Sequence, residues 1–421
     1  MTPEVKKRIE QIRQGIVPEG YKKGKIGIVP IKWNEVPFST LFTSTSEYTD
    51  DLKQYPLYSL TIEDGITAKT ERYERSHLVK KENSYKVVRP NDYAYNPMNI
   101  RFGAVARHKG DIPVAVSGYY DIFTTVHESD LVFMDSFMTY GPMITYYNKV
   151  STGSLVEKQR VHFSDFLEFS LALPPLEERK KIAKILSTQD KAIELQGRKI
   201  EELKRFKKGC LEKMFPRKGQ KVPEKRFPGF TDDWEQRKAK ELFVSTADKG
   251  YPELPVLSAT QDRGMIRRDE NSINIFHDKK NEAGYKRVLP GQFVIHLRSF
   301  QGGFAHSTIE GITSPAYTVF GFSEPEKHDS EYWKYVFTSK SFIQRLETVT
   351  YGIRDGRSIS YEEFLTLGFV YPSKAEQTAI ARYLDKLSDL ITLHQRKLEE
   401  MKRQKKALMQ LLLTGIVRVK A

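Results

Sequence analysis

Pro174-Pro-Leu-Glu-Glu-Arg-Lys-Lys-Ile-Ala-Lys-Ile-Leu186 returns 198 residues later as Pro372-Ser-Lys-Ala-Glu-Gln-Thr-Ala-Ile-Ala-Arg-Tyr-Leu384. The echo continues from Arg198-Lys-Ile-Glu-Glu-Leu-Lys-Arg205 to Arg396-Lys-Leu-Glu-Glu-Met-Lys-Arg403. Between Pro174 and Lys208, 15 of 35 positions match their counterparts without a gap. A repeat of this length makes the chain a tandem of two halves and predicts a function in two parts.

Both stretches read as long helices. In the first, Leu186, Ile193, Ile200 and Met214 fall on one heptad position, with Leu203 and Cys210 on the other. In the second, Leu384, Ile391, Leu398 and Leu412 fill one position, and Leu387, Met401 and Leu408 the other. Seven-residue spacing flanked by Lys, Arg and Glu marks a coiled-coil seam. Each seam runs about 40 residues, or about 60 Å at 1.5 Å per residue. Each buried apolar side chain on it contributes roughly 1.5–3 kcal/mol, so the two seams are expected to cover one another as an antiparallel coiled coil. The alternative is a pair of amphipathic helices, each covering its own domain. Gln189, Gln196, Lys207, His394 and Lys405 interrupt the seams.

The repeat reaches beyond the helices. Trp33-Asn-Glu with Leu41-Phe42 matches Trp234-Glu-Gln with Leu242-Phe243, and Tyr85-Lys-Val-Val-Arg-Pro90 matches Tyr285-Lys-Arg-Val-Leu-Pro290. The segments ahead of the helices carry short strand signals, such as Val114-Ala-Val-Ser117 and Gln292-Phe-Val-Ile-His-Leu297, between Gly, Pro, Asn and Asp. Ser330-Glu-Tyr-Trp-Lys-Tyr-Val-Phe337 is instead helical, with Tyr332, Tyr335 and Val336 on one face. Val5 to Gln14 echoes the end of the first long helix, which predicts that the start of the chain packs near the end of the second. The expected fold class is α+β: two mixed domains joined by two long helices, with an internal pseudo-two-fold repeat. The expected boundaries are 1–170, 171–215, 216–370 and 371–421.

With 421 residues the chain exceeds one ordinary core. Hydrophobic content of 39%, with 12% aromatics, excludes wholesale disorder. A formal charge of +14 favours a polyanionic partner. The single cysteine, Cys210, excludes an internal disulfide framework and a Cys-based zinc site. Met1-Thr-Pro-Glu-Val-Lys-Lys-Arg8 is charged with no apolar run behind it, and no window approaches 18 apolar residues. The expectation is a soluble, cytoplasmic protein with no membrane association.

A search for covalent chemistry finds little. Asn96-Pro-Met-Asn99 begins like the Asn-Pro-Pro-aromatic motif of amino-group methyltransferases, but Asn99 cannot stack an extruded base and no glycine-rich cofactor loop precedes it. A loop after a strand is the better reading. Gly20-Tyr-Lys-Lys-Gly-Lys25 lacks the spacing that cradles phosphates. There is no Gly-x-Ser-x-Gly elbow and no His-x-x-x-His pair. The chain is therefore expected to hold no catalytic residues, metal or cofactor.

Binding features are richer. Arg263-Gly-Met-Ile-Arg267-Arg268, Arg298-Ser299-Phe-Gln301-Gly-Gly303 and Arg354-Asp-Gly-Arg357 set guanidinium groups beside glycines that allow close backbone approach. The first half offers Lys69, Arg72, Arg75, Arg101, Arg107 and Lys109 in the analogous region. Arginine grips guanine bidentately, glutamine does the same for adenine, and serine suits phosphate. These residues are the candidate DNA contacts. The helix-pairing candidates are Leu186, Ile193, Ile200, Leu203, Leu384, Leu387, Ile391, Leu398 and Met401.

The order of variable segment, Leu-Pro-Pro-Leu-Glu-Glu-Arg helix, second variable segment and second helix resembles the specificity subunit of type I restriction–modification enzymes over essentially the whole chain. Phe227-Pro-Gly-Phe-Thr-Asp-Asp-Trp-Glu-Gln236 is also typical of that family. Pro372-Ser-Lys-Ala-Glu376 departs from it by lacking the double proline. The resemblance implies that each variable segment is a target-recognition domain for one half of a bipartite DNA site. It also implies that the helices space the two readers and dock two methyltransferase subunits. S-adenosylmethionine, ATP and Mg then belong to those subunits and to the restriction subunits, not to this chain. The alternative is a coiled-coil scaffold joining two protein-binding modules. A reader prefers one sequence by ~10³-fold or more, whereas a basic scaffold attracts any duplex.

Overall fold

The computed structural model describes residues 2–69, 84–155, 158–217, 219–260, 263–270, 279–296, 303–346, 350–351 and 358–419. The chain folds as two compact units, Met1–Gly197 together with Arg396–Ala421, and Arg198–Gln395.

The two long helices, Leu176–Met214 and Lys374–Leu413, are 39 and 40 residues long. Pro174 and Pro175 stop the chain before the first, and Glu177 and Glu178 in its opening turn complement the positive end of the dipole. The helices pack together in antiparallel sense. In the first unit Gln189 donates to the Met401 carbonyl at 3.2 Å and Lys405 meets Asp190 at 2.6 Å. In the second unit Lys207 donates to Ser388 at 2.7 Å. Lys207 and Lys405 are equivalent across the repeat, as are Asp190 and Ser388, so both lysine interruptions of the seam meet a partner on the other helix. Burial pulls the Lys207 amine below its usual value, and Lys334 adds to the effect. Leu186, Ile200, Leu203, Leu384, Leu387 and Ile391 are buried, while Ile193, Leu398 and Met401 are half-buried. The α+β fold and the paired helices are those the sequence predicts.

Each unit carries the same four-stranded antiparallel sheet. In the first its order is Val105–Arg107, Tyr93–Tyr95, Asp121–Thr125 and Phe42–Ser44. In the second it is Phe304–His306, Phe293–Ile295, Thr318–Phe322 and Phe243–Thr246. Equivalent rings fill the two cores. Tyr93 stacks on Phe123 at 5.2 Å, and Phe293 stacks on Phe320 at 5.6 Å. A strand pair then leads into each long helix: Asn34–Pro37 with Ser170–Leu173, and Glu235–Lys238 with Gly368–Tyr371. Val114–Ser117 is a strand and Ser330–Thr338 a helix that buries Tyr332, Tyr335 and Val336, as their patterns predict.

The opening helix, Pro3–Arg13, lies where the cyclic echo places it. Arg8 donates to the Ile416 carbonyl and sits over the Tyr21 ring, and the Tyr21 hydroxyl donates to the Gly415 carbonyl at 2.8 Å. Gly415 has φ +70, and a Cβ there would fall 2.5 Å from Pro30 and 2.9 Å from Trp33. Among the described residues no helix is long and apolar enough to cross a membrane.

Candidate nucleic-acid interface

A hairpin stands at the same place in each unit: Tyr58–Thr61 with Gly65–Ala68, and Leu257–Thr260 with Gly264–Arg267. The same local chemistry closes both turns. The Thr61 hydroxyl accepts from the Asp64 amide at 3.1 Å and donates to the Gly65 carbonyl at 3.4 Å. The Thr260 hydroxyl accepts from the Arg263 amide at 3.1 Å and donates to the Gly264 carbonyl at 2.8 Å. Both glycines have φ +69, a left-handed value that other residues adopt only with strain.

Charge is where the hairpins part. Exposed Asp64 occupies the turn position that exposed Arg263 holds in the second unit. Ala68 and Lys69 likewise stand where the second unit has Arg267 and Arg268. Lys69 and Arg267 are exposed, with Arg267 3.4 Å from Asp269. Arg268 is half-buried, and its Nε and Nη1 have no hydrogen-bond partner among the described residues.

Beside the first hairpin lies a cleft of about 530 Å³ lined by Glu63, Asp64, Arg107, Lys109, Asp111 and Asp135 among others. Arg107 grips Asp135 bidentately at 2.8 and 2.9 Å and donates to Asn91 at 2.6 Å. Burial alone would lower the Arg107 pKa, but the bonds to Asp135 outweigh it and raise it. Tyr93 also donates to Asp135, at 2.8 Å. Burial, reinforced by Asp135, pushes the Tyr93 hydroxyl well above the usual phenol value. Lys109 lies 3.4 Å from Asp135 with its side chain 66% exposed. The structure therefore gives Lys69, Lys109, Arg263 and Arg267 charged ends in solvent, while Arg107 is committed to an internal pair. Arg101 is buried and donates to Gln159 at 2.7 Å. Arg72, Arg75, Arg298, Ser299, Gln301, Arg354 and Arg357 lie outside the described residues.

In the second unit His306 occupies the place of Arg107, and Lys334 that of Asp135. His306 lies 3.8 Å from Glu331, and Lys334 bonds Glu331 at 2.5 Å and Asp385 at 2.9 Å. Burial lowers the His306 pKa against the pull of Glu331. Asn96 is a turn residue, as expected: its side chain accepts from the Met98 and Asn99 amides at 3.0 and 3.2 Å.

A second constellation fixes each unit to the helices. Glu178, 2% exposed, accepts from the Trp33 indole at 3.3 Å and from Arg418 through two bonds of 2.7 Å. Glu376, 1% exposed, accepts from the Trp234 indole at 3.2 Å and from Arg226 at 2.8 and 2.7 Å. One residue further on, Arg179 grips buried Asp130 at 2.8 and 3.2 Å. Its counterpart Gln377 instead accepts from the Asp329 amide at 2.9 Å, and Thr378 donates to the Asp329 carboxylate at 2.6 Å. None of these residues was among the sequence candidates. The available signal was the repetition of Trp33 and Glu178 as Trp234 and Glu376. Arg226 and Arg418 are not equivalently spaced, which hid them.

The family model for the type I restriction modification DNA specificity domain matches residues 136–205. The chain is 30% identical over 272 residues to the type I restriction enzyme MjaVIII specificity subunit of Methanocaldococcus jannaschii, covering 61% of this chain. That match spans 64% of the relative, a little under two thirds of its length. A second protein of that organism, assigned to the MjaX type I restriction enzyme as its specificity subunit, is 23% identical over 442 residues, covering 99% of this chain and 93% of that protein. Among solved structures, a chain from work on the assembly and conformational transition of the type I R-M system matches with a TM-score of 0.55 at 15% identity. It covers 92% of this chain and 99% of its own, a likeness of fold. In its repeat, its paired helices and these matches, the chain is similar to the specificity subunits of type I restriction–modification systems.

Proposed function

We propose that this chain supplies DNA sequence recognition to a type I restriction–modification complex, each unit reading one half of a bipartite, asymmetric site. The observation that carries the reading is the pair of equivalent hairpins with opposite charge, Asp64 in one and Arg263 in the other. A carboxylate accepts from the amino group of cytosine, and a guanidinium donates to guanine, so one scaffold used twice reads unlike sequences. Lys69, Lys109 and Arg267 serve as phosphate contacts, and Arg107 orients the first cleft through Asp135.

In this reading residues 1–170 and 216–370 are the recognition segments, and 171–215 and 371–421 the spacer helices. Half-sites one turn apart lie ~34 Å from each other, within reach of a helix of about 60 Å. Leu195 and Leu393 stand at equivalent positions of the two helices and are 63% and 62% exposed. They support the docking of two methyltransferase subunits, one at each repeat. The chain itself is non-catalytic, and S-adenosylmethionine, ATP and Mg act on the methyltransferase and restriction subunits in the cytoplasm. The test is to map methylated adenines in cells with and without the gene. One asymmetric, two-part motif that vanishes with the chain supports the reading; an unchanged methylation map overturns it.

A further inference from the structure

The two buried carboxylates tie the starts of their helices to distant parts of the chain. Glu178 stands in the first turn of one long helix, and Arg418 lies just past the end of the other. Glu376 stands in the first turn of the second helix, and Arg226 follows the end of the first. Each carboxylate thus joins three parts within its own unit: the start of one helix, the chain leaving the other, and the tryptophan just ahead of the strand pair that leads into the helix.

Hydrophobic groups of similar volume usually serve stability at least as well as a buried ion pair. Yet the carboxylate persists in both repeats while its neighbour changes from Arg179 to Gln377. Within the stretches Pro174–Leu186 and Pro372–Leu384, the other identical positions are a proline and apolar residues. The arginines reach the two carboxylates from chain positions that are not equivalent, so the geometry is kept although the route to it differs. A bidentate guanidinium has directional bonds that a greasy contact lacks. Removing it leaves the carboxylate without its counter-ion and frees the orientation of the parts it joined.

We propose that Glu178 and Glu376 are positioning residues for DNA recognition: each holds its recognition unit at a fixed angle on the helix ends and so restricts the spacer length the protein accepts. This rests on the reading of the paired helices as the spacing element. Glu376→Gln keeps the shape of the clamp but removes its charge, and Arg226→Met breaks the same clamp from the other side. Both are placed in the whole system in cells, with target sites whose two halves are separated by the native spacer or by one base pair more or less. Methylation at each spacer is counted, and thermal unfolding of the purified chain is recorded alongside.

The expected result is that both variants lose at least tenfold of the native preference for one spacer, with both half-site sequences unchanged. Glu178→Gln gives the same phenotype through the other unit. Full spacer preference in folded variants overturns the proposal. So does a uniform loss at all spacers that follows the fall in melting temperature, because that marks a purely structural role. If the native chain itself shows no spacer preference, the spacing reading falls first. If one variant fails to fold, the other two still decide the matter.

Discussion

Arg179 and Gln377 stand at the same step of the two long helices, yet they solve the same problem with different chemistry. In the first unit a full ion pair holds Asp130; in the second a neutral amide and a hydroxyl hold Asp329. Lys405 meets a carboxylate at Asp190, whereas Lys207 meets only a hydroxyl at Ser388. Arg107 with Asp135 gives way to His306 with Lys334 and Glu331. The sheet order, the aromatic stacks, the threonine-closed hairpin and the Trp–Glu–Arg clamp are the same in both. Geometry has been held while local charge has drifted, as the proposed reading of unlike half-sites requires.

The sharpest way to break this comparison is to cut the unequal helix-start contacts. Arg179→Ala strands a buried carboxylate and is expected to cost about 3–5 kcal/mol. Gln377→Ala removes neutral bonds and is expected to cost about 1–3 kcal/mol. Chemical unfolding of both variants measures the difference, and equal losses contradict the contrast.

Next in size are the hairpin glycines. A Cβ at Gly264 would lie 2.3 Å from the His306 carbonyl oxygen, whereas one at Gly65 would lie 3.2 Å from the Ala106 methyl. Left-handed strain of roughly 1–2 kcal/mol applies to both, and overpacking adds roughly 1–3 kcal/mol at Gly264 alone. Gly264→Ala should therefore lower stability more than Gly65→Ala. An equal shift in unfolding midpoint would show that the backbone moves aside.

At the tips the effect moves from stability to recognition. Arg263→Ala should relax discrimination at a single base of one half-site about tenfold, or roughly 1.4 kcal/mol. Asp64→Ala should act at the other half-site. Binding to substituted duplexes reads both outcomes, and a uniform loss over unrelated sequences would make Arg263 a phosphate contact.

The mildest contrast is in acid. Burial lowers the pKa of both His306 and His328, so the folded second unit favours the neutral rings. The unfolded chain takes up those protons near pH 6.5, so this stability is present above that value and is lost as pH falls below it. In the first unit burial raises Asp92 and Asp121, whose protonation is favoured in the fold and relieves their cost as pH falls. Mild acid should weaken the second unit before the first. Proteolysis across the pH range reports the order, and Phe at 306 and 328 should flatten it.

The helices were legible because a seven-residue pattern needs no partner to be seen, and the repeat doubled the signal. Lys207 and Lys405 read only as flaws in that pattern. Their partners become visible once the antiparallel register sets Lys207 beside Ser388 and Lys405 beside Asp190. Arg107 has the composition of a DNA contact, and nothing along the chain announces that Asp135 will hold it, 28 residues away. The hairpins escaped notice for a related reason. The loop carrying Arg263 stood out for its arginines, while its twin at Asp64 carries the opposite charge and offered nothing basic to match. The clamps depend on contacts across 142 to 240 positions, a separation at which residue type alone carries no information.

The second unit is one unbroken run of chain, whereas the first waits for Arg396 onward to complete it. During synthesis the later-begun unit can therefore close while the earlier one still lacks Arg418 for Glu178, and Leu412 and Leu413 for its core. Chains stalled on the ribosome before that point would carry a finished second unit and an unfinished first one, with Trp33 awaiting the residues that seal it.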